Sequence, residues 1–159
     1  MNRNARPVRR RSLFVLATLA RAIFWFSPVA AASLKIEPLE VATGRGVFHF
    51  KVEVADNDAT RERGLMFRKA MAADRGMLFD FKTPRLVAFW MKNTLIPLDM
   101  LFIAKDGRIV SIARDATPLS EAPIPSGGAV VGVLELRGGR AHEIGAQPGD
   151  RVRERIFHR

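Results

Sequence analysis

The sequence predicts a mainly β protein, a single-domain antiparallel sandwich or barrel-like fold with one or two very short helices. Apolar or alternating runs recur about every ten residues, which is the strand spacing of sandwiches and barrels. Many of the 12 glycines and 9 prolines lie between these runs, so the pattern favours short strands over long helices. The chain has no cysteine, and the fold must therefore be stable without disulfide bonds.

The amino-terminal residues 1–32 are predicted to be a signal peptide. They begin with a basic stretch that has no acidic residue, continue with the apolar residues 13–26, and end in Ala30-Ala31-Ala32. A secretory signal has this order: a basic stretch, then an apolar stretch, then small residues. We therefore expect an exported protein, periplasmic or secreted, that uses the general secretory route or, from Arg9-Arg10-Arg11, the twin-arginine route. The alternative is a membrane anchor formed by residues 13–26, although a span needs about 20 residues.

Composition excludes several function classes. The whole chain carries a formal charge of +10, but residues 33–159 hold 20 basic and 16 acidic residues, which leaves about +4. This small excess argues against a nucleic-acid partner. The absence of cysteine excludes thiolate catalysis and cysteine zinc sites, and His49, His142 and His158 lack metal-ligand spacing. No metal, cofactor or membrane partner beyond the signal segment is expected, and protein partners stay open.

The presumed mature chain divides into an irregular segment, 33–46, and a single β-rich domain, 47–159. The first segment holds Pro38, Gly44 and Gly46, which interrupt any regular pattern. Apolar residues then alternate with polar ones from Phe48 to Val54, which predicts a half-buried strand.

A short helix follows that strand. Asn57 or Asp58 is suited to cap its amino terminus, and the helix should run through Arg63. Gly64 fits the left-handed position that often ends a helix. A second helical turn is expected at Arg140 to Ile144.

The remaining elements are predicted strands, all paired antiparallel. Lys105-Asp106-Gly107-Arg108 between two apolar runs indicates a hairpin with a type I′ turn. The expected strands are 76–81, 86–93, 98–104, 109–113, 130–136 and 152–157, with a long loop at 115–128.

The apolar stretch 89–102 contains three polar side chains that need an explanation, Lys92, Asn93 and Asp99. Burial of an unpaired charge is unfavourable. If Thr94 to Pro97 form a four-residue loop, the flanking strands make a central hairpin in which Lys92 faces Asp99. In that arrangement the two charges neutralise each other.

Several motifs occur in one order along most of the presumed mature chain, from Val47 to Val152. The motifs are Arg63-Gly64-Leu65-Met66-Phe67-Arg68, Gly76-Met77-Leu78-Phe79, Phe89-Trp90-Met91-Lys92-Asn93-Thr94, Pro97-Leu98-Asp99, Leu134-Glu135-Leu136 and Gly149-Asp150. Together they resemble the family called domain of unknown function 192. The resemblance implies a mainly β, sandwich-like single domain that is often exported, and it implies no activity and no catalytic residue.

The first functional hypothesis is a binding or accessory module with a cleft near Lys92, Asn93 and Asp99. Trp90 would be a platform for a small polar or anionic ligand, since such pockets combine apolar walls with a few polar groups. Alternatively, Lys92 and Asp99 only pair with each other, and the Asn93 side chain forms hydrogen bonds within the loop.

Three more residues are candidates for ligand contact. Glu135 is an acid in an apolar strand, and it either pairs with an arginine or contributes to a site. Arg63 and Arg68 flank an apolar motif, and each either pairs internally or binds an anion, which arginine does through two parallel hydrogen bonds.

The second hypothesis is a hydrolase-like enzyme that uses Asp99 and Glu135 as paired carboxylates, with Lys92 as an electrostatic helper. The third is a structural or protein-interaction domain. The sequence contains no nucleophile elbow, phosphate-binding loop or dinucleotide motif, and it does not decide whether the protein is an enzyme.

Overall fold

The structure, a computed structural model, describes residues 34–158, which belong to one compact unit. The predicted signal peptide, residues 1–32, lies outside the described residues. Within residues 34–158, no helix is both long enough and apolar enough to span a bilayer.

The described residues form strands joined by short helices and turns, which confirms the mainly β prediction. The strands are β1 (Ile36–Thr43), β2 (Gly46–Ala55), β3 (Arg75–Arg85), β4 (Ala88–Phe89), β5 (Leu98–Ile103), β6 (Ile109–Ala116), β7 (Ile124–Pro125), β8 (Val130–Arg137) and β9 (Arg151–Arg153). The helices are α1 (Asp58–Arg63), α2 (Arg140–Glu143) and a 3-10 helix (Arg155–His158).

Seven strands make one sheet in the order β6-β5-β8-β3-β2-β1-β9, and β4 pairs with β7 in a separate two-stranded sheet. All pairs are antiparallel except β2–β3, which is parallel. The expectation that every pair would be antiparallel is wrong at this position. Helix α1 lies in the connection between the two parallel strands and allows the chain to return in the same direction.

The segment 33–46, predicted to be irregular, instead contains β1, which pairs with β2 from Ile36 to Thr43. Proline cannot donate a ladder hydrogen bond and is tolerated where a strand edge is free. Pro38 meets this condition because β9 pairs with β1 only from Glu40 to Ala42.

Helix α1 forms as its sequence predicts. The Asn57 side chain accepts a hydrogen bond from the Thr60 backbone N–H (3.0 Å), and the Thr60 hydroxyl accepts one from the Asn57 N–H (3.3 Å). Gly64 ends the helix with a positive φ of 46°, but its ψ of −136° differs from the left-handed helical conformation that was predicted. This reciprocal cap satisfies two backbone donors that a short helix leaves unpaired.

The Asp-Gly hairpin between β5 and β6 is confirmed, but its turn differs from the type I′ prediction. A type I′ turn needs positive φ at both central residues. In this turn only Gly107 has positive φ, at 81°. A Cβ atom at Gly107 would lie 2.5 Å from the Val152 carbonyl oxygen, so the turn packs directly against β9.

The carboxyl-terminal strand is shorter than predicted. β9 ends at Arg153, and the 3-10 helix follows because the Glu154 carboxylate accepts a hydrogen bond from the Ile156 N–H (2.8 Å). The long loop predicted at 115–128 is interrupted by β7.

The large sheet is covered on both faces, so the molecule has two apolar cores. One core contains α2, β9 and the residues Leu101, Ile103, Leu134 and Leu136. The other contains Met77, Met100, Phe102 and Val133, together with Leu65 and Met91 from the connecting segments. We call these the helix α2 face and the cleft face.

Candidate functional site

The predicted hairpin between 86–93 and 98–104 is wrong. Only Ala88 and Phe89 are in strand conformation, and they pair with β7. Both edges of β5 are occupied by the longer strands β6 and β8, which leaves no edge for a third partner. Lys92 lies in a turn in which the Thr94 N–H donates to the Met91 carbonyl (3.0 Å), and it does not face Asp99.

Asp99 is a structural residue on the helix α2 face. Its side chain is fully buried, and its two carboxylate oxygens accept hydrogen bonds from the backbone N–H groups of Asp115 (2.8 Å) and Ala141 (2.6 Å). The N-cap of α2, Gly139, has no side chain, so Asp99 supplies the acceptor for this helix from another strand. The carboxylate therefore links β5, β6 and α2.

Glu135 occupies the opposite face of the same sheet. Its cross-strand neighbours are Met77 on β3 and Met100 on β5, whereas Asp99 is opposite Leu136. Since adjacent residues of a strand project to opposite faces, the carboxyl groups of Asp99 and Glu135 are separated by the sheet. This arrangement removes the paired carboxylates that the hydrolase hypothesis required.

The Glu135 carboxyl group lies in an apolar environment. The residue is 4% exposed, and no residue in the range 34–158 forms a hydrogen bond or ion pair with its side chain. Burial raises its pKa from 4.5 to about 8 because the charged form is poorly solvated there. At neutral pH Glu135 is therefore mostly protonated and is able to donate a hydrogen bond.

The Glu135 side chain lines a cleft of about 280 Å³. The walls come from α1, from the segment that follows it, from β3 and from the segment around β4. The lining residues are Arg61, Glu62, Arg63, Gly64, Leu65, Met66, Phe79, Phe81, Arg85, Ala88, Phe89, Trp90, Lys92, Thr94 and Glu135. We refer to this set as the cleft.

Aromatic rings give the cleft rigid apolar walls. Phe89 makes edge-to-face contacts with Phe79 (4.9 Å between ring centroids), Phe81 (6.3 Å) and Phe102 (6.1 Å). Such pairs are favourable beyond the area that they bury. The two-residue strand β4 is thereby held against β3 by packing.

Four cationic side chains border the cleft. Arg61 and Arg85 are engaged internally, since they donate to the carbonyl oxygens of Asp80 (2.7 Å) and Phe81 (3.3 Å). Lys92 lies over the Trp90 ring, 5.1 Å from its centroid, and has no carboxylate partner in the described part of the chain.

Arg63 is also exposed at the border, and no described residue forms an ion pair with it. The cleft therefore combines a protonated acid inside, aromatic walls and two available cations outside. Glu62 is the acidic residue at the border.

The structure brings together four of the seven candidate residues in the cleft: Trp90, Lys92, Arg63 and Glu135. The other three lie outside it. Asp99 is sealed on the other face, Arg68 forms an ion pair with Glu53, and the Asn93 amide contacts the Met66 sulfur (3.9 Å). Asn93 has a positive φ of 55° and shapes the turn through its backbone.

The phenylalanine walls were not among the residues predicted to form a site. Phe79 and Phe81 have the two-residue spacing that places side chains on one face of a strand, and this signal was available. Their position opposite Phe89 depends on the pairing of β4 with β7, which no local pattern indicates. Among residues 34–158, no group of three or more His, Asp or Glu side chains is placed to hold a metal ion.

Comparison with known proteins identifies relatives. The model of the family domain of unknown function 192 (DUF192), described as "Uncharacterized ACR", matches residues 40–154. A crystal structure of a candidate transcription regulator from Sinorhizobium meliloti 1021 is 47% identical, with a TM-score of 0.76, and the match covers 78% of this chain and 97% of that one.

A second crystal structure, of a protein of unknown function from Novosphingobium aromaticivorans DSM 12444, is 40% identical, with a TM-score of 0.75. That match covers 80% of this chain and 90% of the other. No protein with a curated description matches the chain significantly.

The separate roles of Asp99 and Lys92 lead to a stability prediction. Asp99→Asn places an amide donor against a backbone N–H donor, and we expect it to lower the free energy of unfolding by about 2–4 kcal/mol. Lys92→Met should change it by less than about 0.5 kcal/mol, and the two changes should be additive in a double-mutant cycle measured by urea unfolding. Non-additive changes would indicate that the two side chains interact after all.

The raised pKa of Glu135 predicts a pH dependence of stability. Because the folded protein binds this proton more tightly than the unfolded chain, the free energy of unfolding should fall as the pH rises from about 4.5 to about 8. Glu135→Gln removes this loss. The free energy of unfolding of the variant should therefore exceed that of the wild type by a few kcal/mol at pH 8 and be similar to that of the wild type at pH 5.

Glu143→Gln is the matched control for that measurement. Hydrogen bonding to Arg140 lowers the pKa of Glu143, so its contribution to stability is lost only as the pH falls below about 4.5. Its difference from the wild type should therefore be constant between pH 5 and 8. A constant difference for Glu135→Gln as well would contradict the buried, unpartnered position of that carboxyl group.

Proposed function

Because the chain belongs to the DUF192 family, whose description names no activity, we propose its function from the cleft: an exported module that binds a small amphiphilic compound. The ligand has a planar or compact apolar body, a hydrogen-bond acceptor at one end and an anionic group at the other.

The Glu135 carboxyl group is the observation that carries this proposal. The residue is 4% exposed and no described residue bonds its carboxyl group, so its charged form is poorly solvated; acids perturbed in this way in a cleft often mark functional sites. Glu135 lies in the central strand β8, where an apolar side chain would pack well between Met77 and Met100. A bound ligand that accepts its proton in a hydrogen bond explains why a carboxyl group occupies this position.

The charges at the border support an anionic group at the outer end of the ligand. Arg63 and Lys92 have no carboxylate partner among the described residues, and Lys92 is positioned by its contact with Trp90. Pockets for small molecules usually measure about 300–1,000 Å³, so a cleft of about 280 Å³ suits a ligand at the small end of that range.

Two other functions receive less support. The regulator name of the Sinorhizobium meliloti relative is not extended to this chain, because a formal charge of about +4 on residues 33–159 is weak support for nucleic-acid binding. A hydrolase that pairs Asp99 with Glu135 is not proposed, because the two carboxyl groups lie on opposite faces of the sheet.

Binding of three related compounds tests the proposal. We expect para-hydroxyphenylpropionate to bind, and phenylpropionate, which lacks the inner acceptor, to bind about tenfold more weakly. The alcohol para-hydroxyphenylpropanol, which lacks the anionic group, should also bind about tenfold more weakly. Calorimetry gives the affinities, and the fluorescence of Trp90, the indole of residues 33–159, reports that the cleft is occupied.

Variants assign each preference to its residue. Glu135→Leu should abolish the preference for the hydroxylated compound over phenylpropionate, and Lys92→Met should reduce the preference for the acid over the alcohol, since Arg63 remains. Lys105→Met, which removes an exposed lysine of the β5–β6 turn, is the control and should change neither preference. The proposal fails if no compound binds, or if both cleft variants keep the preferences of the wild type.

Export is the second part of the proposal, and the order of basic, apolar and small residues in 1–32 supports it. We expect protein isolated from the cell envelope or the medium to have the mass of a chain that begins near residue 33, as measured by intact mass spectrometry. Full-length mass in the membrane fraction would instead support an anchor at residues 13–26. Full-length mass in the cytosol would contradict export.

A further inference from the structure

Four large apolar side chains are exposed on segments that contribute to the cleft or are hydrogen-bonded to it. Phe67 is 58% exposed, Trp90 49%, Leu95 43% and Leu119 59%. Isolated exposed apolar residues are common, but contiguous ones often mark interaction surfaces. These four residues belong to segments that are joined by backbone hydrogen bonds. We call the four residues the apolar loop cluster.

Backbone hydrogen bonds hold the cluster together. The Phe67 N–H donates to the Asn93 carbonyl (2.8 Å), and the Leu119 N–H donates to the Thr94 carbonyl (3.1 Å). Both partners belong to the turn that precedes Leu95. The three segments that carry Phe67, Leu95 and Leu119 therefore meet at one place, and Trp90 connects them to the cleft.

The backbone at two members of the cluster is strained. Phe67 has a φ of 65° and Leu119 a φ of 63°. Positive φ is unfavourable for residues with a bulky side chain and persists only where the surrounding structure enforces it, often at functional sites. Here the hydrogen bonds from both residues to the turn hold the strained conformation while the side chains stay in solvent.

The charges around the cluster favour an anionic partner. Arg63, Lys69 and Lys92 lie within four residues of its members along the sequence and form no ion pair among the described residues, and the nearby exposed acids are Glu62, Asp115 and Glu121. A second copy of the chain, related by two-fold symmetry, would bring the same cations against each other. An anionic surface neutralises them instead.

We propose that the apolar loop cluster docks this protein onto an anionic lipid surface, with Phe67, Leu95 and Leu119 in the interface and Arg63, Lys69 and Lys92 at the headgroups. Lipid accepts exposed apolar side chains without a complementary pocket, and basic residues beside them add electrostatic attraction. The mouth of the cleft then lies beside the membrane. The inference does not depend on the identity of the ligand in the cleft.

Vesicle binding tests the proposal with a variant designed to preserve the fold. Asparagine tolerates positive φ better than phenylalanine or leucine, so Phe67→Asn combined with Leu119→Asn removes two apolar side chains without adding backbone strain. We expect the wild type to sediment with phosphatidylglycerol–phosphatidylcholine vesicles and the double variant to bind at least about tenfold more weakly, with a Tm that is not lowered.

The controls separate the surface from other causes. Val47→Ser removes an apolar side chain that is 47% exposed on β2, outside the cluster, and should bind vesicles like the wild type. Binding of the wild type should weaken with added salt and with pure phosphatidylcholine vesicles. All variants are purified from the cell envelope or the medium. Their intact masses are compared, so that every sample has the same amino terminus.

Three outcomes would overturn the proposal. The first is no binding of the wild type to anionic vesicles, and the second is equal binding by the wild type and the double variant. The third is a wild-type dimer in solution that the double variant abolishes, since a second copy would then cover the cluster. Glu135→Leu should bind vesicles normally, so a failure of ligand binding in the cleft is distinguishable from a failure of docking.

Discussion

Burial of both faces of the seven-stranded sheet is the constraint on which the rest of the structure depends. Strands β5 and β8 lie inside this sheet, and each carries one acid, Asp99 and Glu135. A buried carboxyl group must either be satisfied by hydrogen bonds or remain protonated. Asp99 accepts two backbone hydrogen bonds and joins β5, β6 and α2. Glu135 has no such partner among the described residues, and burial keeps its pKa near 8.

This difference follows from strand register. The pairing of β5 with β8 places Asp99 opposite Leu136 and Glu135 opposite Met100, so the two acids project to different sides. On the helix α2 side, backbone amides reach the carboxylate. On the cleft side, the neighbours are apolar side chains and aromatic rings, which leave the Glu135 proton available to a ligand. A buried carboxyl group thus has a structural role on one face and a proposed binding role on the other.

Local patterns predicted much of the fold correctly. The alternation in β2, the Asn57 cap of α1, the Asp-Gly hairpin and the apolar strand β8 all arise from interactions between residues near each other in the chain. The failures concern pairing between distant segments. β1 lacked a clear pattern, and its strand conformation comes from its position between β2 and β9. The predicted Lys92–Asp99 pair failed because β6 and β8 occupy both edges of β5.

The sequence by itself determined the fold class, the two short helices with the Asn57 cap of the first, the family and the presence of Asp99 and Glu135 in apolar strands. Only the tertiary structure decided what those acids do. The donors to Asp99 lie 16 and 42 residues away in the chain and are backbone groups, which leave no signature in residue identity. The aromatic walls of the cleft likewise come from β3 and β4, which belong to different sheets. Whether a buried carboxyl group is satisfied depends on which atoms surround it, and that is a property of the folded chain.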